Sequence, residues 1–103
     1  MTSTVTMVLL APAAIEEELI ELLLTHEAMA SAGFTTREVG GRGTQAVYRS
    51  VAEQIRGSTR LVEITLTAAE ADVRSLVADL GRRMPGHGID YVIMPVMTCG
   101  RNG

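Results

Sequence analysis

The chain has 103 residues, of which 47% are hydrophobic and only 3% aromatic, with a formal net charge of −3. That length bounds it to one domain with an aliphatic, methionine-rich core, and the acidic balance argues against general nucleic-acid binding, which needs a basic face. A single cysteine, Cys99, excludes an internal disulfide and fits a reducing compartment.

The start, Met1-Thr2-Ser3-Thr4, lacks the basic segment of a secretory signal, and the apolar run Val5 to Leu10 is too short to span a bilayer. A cytoplasmic protein is expected. Residues 4–10 are β-branched and almost wholly apolar, the pattern of a strand in the middle of a sheet. Ala11-Pro12 closes that strand, and Pro12 suits the first turn of a helix, where its missing N–H is not needed. Ile15, Leu19, Leu22, Leu23 and Met29 then recur at helical spacing. Glu16, Glu17, Glu18 and Glu21 crowd the first turns, where the helix dipole favours negative charge. Ile20 and Leu24 widen the apolar face to nearly half the circumference, which fits either a subunit contact or a chance pair of exposed apolar residues. His26 falls on the apolar side and reads as a partly buried structural histidine. Ser31-Ala32-Gly33 ends the helix.

The second strand runs from Phe34 to about Val39 and enters a glycine-rich stretch. There Gly40, Gly41 and Gly43 permit positive φ and close approach of a backbone or a ligand. Residues 41–58 are the least regular section, with Tyr48, Val51, Ala52 and Ile55 predicting a short amphipathic helix within a long loop. Loops of that length in a small domain are commonly functional. Arg42, Arg49, Arg56 and Arg60 surround it and suit an anion or the acidic face of a partner. Residues 60–66 form a third strand, and Thr67-Ala68-Ala69-Glu70 has the pattern of a capping box. Val73, Leu76, Val77, Leu80 and Met84 make the stripe of a second helix, which Pro85-Gly86-His87-Gly88 ends as a flexible loop. His87, between two glycines, is either a plain polar loop residue or one placed to hydrogen-bond a phosphate or ligate a metal. The fourth strand spans Ile89 to Val96.

The order βαββαβ with right-handed crossovers gives a ferredoxin-like α+β sandwich, a four-stranded antiparallel sheet with two helices on one face. The other face is bare, and Val62, Ile64 and Met94 on it would favour oligomerisation. No serine, cysteine or carboxylate sits in a recognisable nucleophile motif, so an enzyme is not expected.

With those elements placed, the chain resembles the PII-like signalling proteins, the nitrogen regulatory protein PII superfamily, over nearly its whole length. Gly33, Thr35, Glu38, Val39, Gly41, Gly43 and Gln45 fall at the spacing of that family's second strand and T-loop root. Tyr48-Arg49 followed by Ala52-Glu53 looks like a shortened T-loop, and Gly86-His87-Gly88 stands where the family has its B-loop. The resemblance implies one PII-like domain over 1–103, with a T-loop equivalent at about 41–58 and a B-loop equivalent at about 84–88. It also implies a homotrimer that binds AMP, ADP or ATP as effector in clefts between subunits and regulates a protein partner, such as a membrane transporter, through the T-loop. Gly41, Gly43, Gln45, Gly86, His87, Gly88 and Arg101 would then line the nucleotide or anion. Arg42, Tyr48, Arg49, Glu53 and Arg56 would belong to the partner-binding loop.

The chain departs from that family at three positions. Ile89 replaces the phosphate-contacting lysine, Arg101 lacks the second C-terminal arginine, and Gln54 stands where the enterobacterial type has its uridylylated tyrosine. Without those cations a triphosphate would be poorly neutralised. These departures point to a divergent branch whose ligand is AMP, ADP, another small anion, or nothing. The CutA family of trimeric ion-tolerance proteins shares the architecture, and that alternative assigns His87 and Cys99 to a divalent metal.

Overall fold

The computed structural model describes residues 3–42 and 59–103. Strand β1, Thr4–Pro12, alternates: Val5, Met7, Leu9 and Ala11 are buried and the residues between them half-buried. A 3₁₀ turn, Ala13–Ile15, leads into α1, Glu16–Thr25, and α2, Glu27–Ala32. Then come β2, Thr35–Gly41, β3, Thr59–Ala69, α3, Glu70–Arg83, and β4, Asp90–Pro95. The sheet order is β2-β3-β1-β4 with every neighbour antiparallel. This is the expected ferredoxin-like α+β arrangement.

The core lies on one side of the sheet. Val5, Met7, Leu9, Val62, Ile64 and Leu66 meet Leu19, Leu22, Leu23, Met29, Val73, Leu76 and Leu80 in a single cluster. Full burial of each such side chain stabilises the fold by roughly 1.5–3 kcal/mol. Val62 and Ile64 are therefore under the helices and not on the bare face; of the three residues expected there, only Met94 is. Strand register decides this, because Ile64 pairs with the buried Leu9 whereas Met94 pairs with Thr6. The open face carries Val8, Leu10, Leu61, Val39, Val92 and Met94, interspersed with Thr6, Thr65, Thr67 and the Arg37–Glu63 ion pair at 2.8 Å.

Several local expectations yield to longer-range contacts. The first helix breaks at His26, whose backbone is extended at φ −77 and ψ 116. Of the two residues that widen its face, Ile20 packs on the core, but Leu24 remains 57% exposed. Pro12 ends β1 rather than opening an α-helix. Thr67 does not cap α3: it stays in β3, its hydroxyl 2.8 Å from that of Thr6, and Ala69 holds the N-cap position without a side-chain bond. The Glu70 N–H is satisfied instead by the Ser3 carbonyl at 2.8 Å. Extending the β1–β3 ladder to the Thr4–Ala69 pair outweighs one capping bond.

Gly40 and Gly41 also differ from expectation. Neither has positive φ, and Gly41 continues β2 opposite Thr59. A Cβ there would stand 2.7 Å from Leu61 Cδ1, so Gly41 makes room for a cross-strand neighbour. Gly33 does use its freedom, with φ 78 at the end of α2 and its N–H bonded to the Met29 carbonyl.

Candidate functional site

The last turn of α3 buries Leu80 and Met84, and the Met84 N–H still reaches the Leu80 carbonyl at 3.0 Å. Pro85 cannot extend the helix. Gly86 and Gly88 follow at φ 71 and φ 72, a left-handed backbone that a side chain would strain. Left-handed glycines of this kind recur in the glycine-rich turns whose backbone N–H groups form anion nests. His87 Nδ1 lies 3.0 Å from the Pro85 carbonyl, which only accepts, so Nδ1 carries the hydrogen. Its Nε2 lies 3.9 Å from Glu18 Oε2, beyond hydrogen-bonding distance, which sets the loop beside the start of α1. A Cβ on Gly88 would come within 4.0 Å of Pro12 Cγ, which places the loop beside the end of β1.

Behind the loop runs a groove of about 380 Å³, floored by Val77, Leu80, Met84, Ile89 and Tyr91. It exists because α3 packs over β1 and β3 and leaves the inner side of β4 partly open. Tyr91 pairs with Leu9, yet Leu9 is fully buried and Tyr91 is 47% exposed. Ile89, where PII proteins have a lysine, is half-buried against the core and makes the groove apolar. The volume falls within the range of small-molecule sites.

Of the residues assigned by resemblance, Gly86, His87 and Gly88 are brought together here. Gly41 lies at the same end of the sheet but on the opposite edge, three strand spacings or roughly 14 Å away. Arg101 is exposed in the segment after β4, and neither it nor Gly41 lines the groove. Arg42 is exposed just past β2, whereas Gly43, Gln45, Tyr48, Arg49, Glu53 and Arg56 lie outside the described residues. Among the arginines around the loop, Arg60 is paired with Glu38 at 2.7 Å. The hydrogen bond and charge of Glu63 hold the Arg37 guanidinium above its ordinary pKa.

Cys99 is exposed and free, and the acidic side chain near His87 is Glu18, at 3.9 Å. Among the described residues no three His, Cys, Asp or Glu side chains are grouped to hold a metal. His26 is structural, as its place on the apolar side implied. Its side chain is 9% exposed, with Nε2 3.4 Å from Ser75 Oγ and 3.5 Å from Asp79 Oδ2, and it joins the helix break to α3. Asp79 is also paired with Arg82. No helix among the described residues is long and apolar enough to cross a membrane.

Sequence reasoning missed Tyr91 and Glu18 as site residues. The signal for Tyr91 was its alternation with Ile89 and Ile93, which places it on the inner face of an edge strand. The Glu18–His87 approach had no sequence signal, being a contact across 69 residues of chain.

The family model of DUF3240, "protein of unknown function", matches residues 1–103. No curated protein sequence matches the chain. Among solved structures, a DUF3240 family protein from Shewanella baltica superposes with a TM-score of 0.77 at 18% identity, covering 100% of both chains. CPII, a nitrogen regulatory PII-like protein from Thiomonas intermedia solved with ADP, AMP and bicarbonate, gives a TM-score of 0.70 at 17% identity, over 96% of this chain and 94% of its own. A proposed PII-like signaling protein from Thermus thermophilus gives 0.63 at 16% identity, over 92% and 88%. The overall fold is thus that of a known architecture, and the chain belongs to the DUF3240 family, built on the PII-like fold.

Proposed function

We propose that this protein is a PII-like regulator, not an enzyme, that senses a small anionic effector in clefts between copies of itself. The observation that carries this reading is the split site. Gly86, His87 and Gly88 sit at the β4 edge and Gly41 at the β2 edge, so one chain presents two half-sites facing away from each other. A second copy brings a β2 edge to a β4 edge and completes the cleft. A homotrimer closes that head-to-tail contact into a ring, and the open sheet face, with Val8, Leu10, Leu61, Val92 and Met94, supplies its apolar contact.

Among the described residues the groove lining contains no arginine or lysine, which favours AMP or ADP over ATP. The binding of ADP, AMP and bicarbonate by CPII, which shares the fold, supports the same class of ligand. Residues 41–58 then present Arg42, Tyr48, Arg49, Glu53 and Arg56 to a protein partner, a transporter or an enzyme. Effector binding at the root of that segment couples occupancy to the partner contact.

The test joins light scattering to a thermal-shift series with AMP, ADP, ATP and bicarbonate, since a ligand of the folded state raises its melting temperature by mass action. The expected result is three times the chain mass and a shift with AMP or ADP that disappears in Gly86→Val. A monomer that binds none of the four would overturn the proposal.

A further inference from the structure

We infer that His26 is the latch of a hinge between α1 and α2, and that the same chain has a second arrangement in which the two helices run on as one. The hinge is independent of the effector site.

Nothing in the local sequence asks for a break at this point. Residues 16–32 contain no proline or glycine, and Glu27, Ala28, Met29 and Ala30 are good helix formers. On either side the helical ladder is intact: the His26 N–H bonds the Leu22 carbonyl, and the Ala30 N–H bonds the His26 carbonyl, both at 3.0 Å. Between them it is missing. Among the described residues no backbone bond joins the N–H groups of Glu27, Ala28 and Met29 to the last carbonyls of α1, so three bonds of an uninterrupted helix are given up.

The His26 side chain supplies the reason. In an uninterrupted helix residue 26 would share one face with Leu22 and Met29, which are both buried in the core. An imidazole held between them would lose its hydrogen bonds. The extended backbone at His26 turns the ring aside, to Ser75 Oγ at 3.4 Å and Asp79 Oδ2 at 3.5 Å on α3. That latch is imperfect. A carboxylate only accepts, so Nε2 carries the hydrogen, and Nδ1 is left as a buried acceptor without a partner. Each arrangement thus carries a penalty: a broken ladder and an orphan nitrogen in one, a desolvated imidazole in the other. Two packings of opposed and comparable cost are what a hinge needs.

The hinge also has room to work. It opens on a polar cleft of about 580 Å³, lined by Thr25 and Ser31 on one side and by Ser75 and Asp79 of α3 on the other. Beyond it α2 leads through Gly33 into β2, so a change of state at His26 is passed to the strand that ends at Gly41.

Amide hydrogen exchange of the full chain, read at Glu27, Ala28 and Met29, tests the latch. In the native protein these amides are expected to exchange quickly. In His26→Leu, which takes the polar ring off the core face, they are expected to slow by about tenfold or more, the scale of one net backbone hydrogen bond. His26→Gln, which keeps a donor for Asp79, retains the native rates. Should His26→Leu fail to fold, His26→Met, apolar and unbranched, decides in its place. Native rates in the folded apolar variant overturn the inference, because the break then has another cause. Slow exchange in the native chain overturns it as well, and so does equal slowing in His26→Gln.

Discussion

The two faces of the sheet are built from similar aliphatic residues and end in different states. On one, Met7, Leu9, Val62 and Ile64 are sealed beneath three helices; on the other, Val8, Leu10 and Leu61 are only half-buried, and Val92 and Met94 are exposed. A strand that is apolar on both sides, as β1 is, normally lies between two layers. The described chain supplies one. The threonines and the Arg37–Glu63 pair on the open face make it compatible with water, which a sealed core never needs to be. The same contrast appears among the glycines. Gly86 has open space around its missing side chain and a φ no other residue adopts comfortably, whereas Gly41 has an ordinary strand φ and a crowded neighbour.

The contrast between the faces can be broken from the sealed side first. Ile64→Ala is expected to cost about 2–5 kcal/mol of folding stability, read from the denaturant midpoint, because the cavity it leaves cannot refill. On the open side, Val92→Asp is expected to leave the secondary structure intact while abolishing the oligomer in light scattering. A single-chain loss as large as that of Ile64→Ala would erase the distinction.

Gly86→Val is next in size. Forcing a β-branched residue to φ 71 is expected to cost about 1–3 kcal/mol, together with any AMP-induced thermal shift. Gly41→Ala sharpens the same comparison from the other edge. Its obstacle is the end of the Leu61 side chain, which can rotate, so a loss under about 1 kcal/mol is expected if that face is free in solution. A larger loss, appearing only at concentrations where the protein is oligomeric, would place Leu61 in the subunit contact. Arg37→Ala should be smallest, a change in midpoint within experimental error, because the Arg37 side chain is 70% exposed and its ion pair with Glu63 lies at the surface.

Much of the fold was legible because its signals are local. The alternation in β1 and β3, the stripe of Val73, Leu76 and Leu80, and the punctuation at Gly33 and Pro85 each depend on a few neighbouring residues. The errors share the opposite property. Thr67 has the right neighbours for a capping box, but a hydroxyl on another strand and three more residues of ladder outweigh it. His26 sits in an unbroken helical period, yet its side chain reaches across to Ser75 and Asp79 at the point where the helix breaks. Of the site, the Gly86–Gly88 loop was readable from composition. The Tyr91 groove was not, since it depends on how far α3 extends across the sheet.

By itself, then, the sequence determined the order of strands and helices, the aliphatic chemistry of the core and the two glycine-rich stretches. These follow from backbone propensity and the periods of 2.0 and 3.6 residues, which each segment carries internally. Only the tertiary structure decided which face of each strand is covered, that Gly41 and Gly86 lie on opposite edges, and that His87 meets Glu18. Those are questions of register between segments distant in sequence. A shift of one residue in any strand pairing would exchange its covered and open faces, and no local pattern specifies that phase.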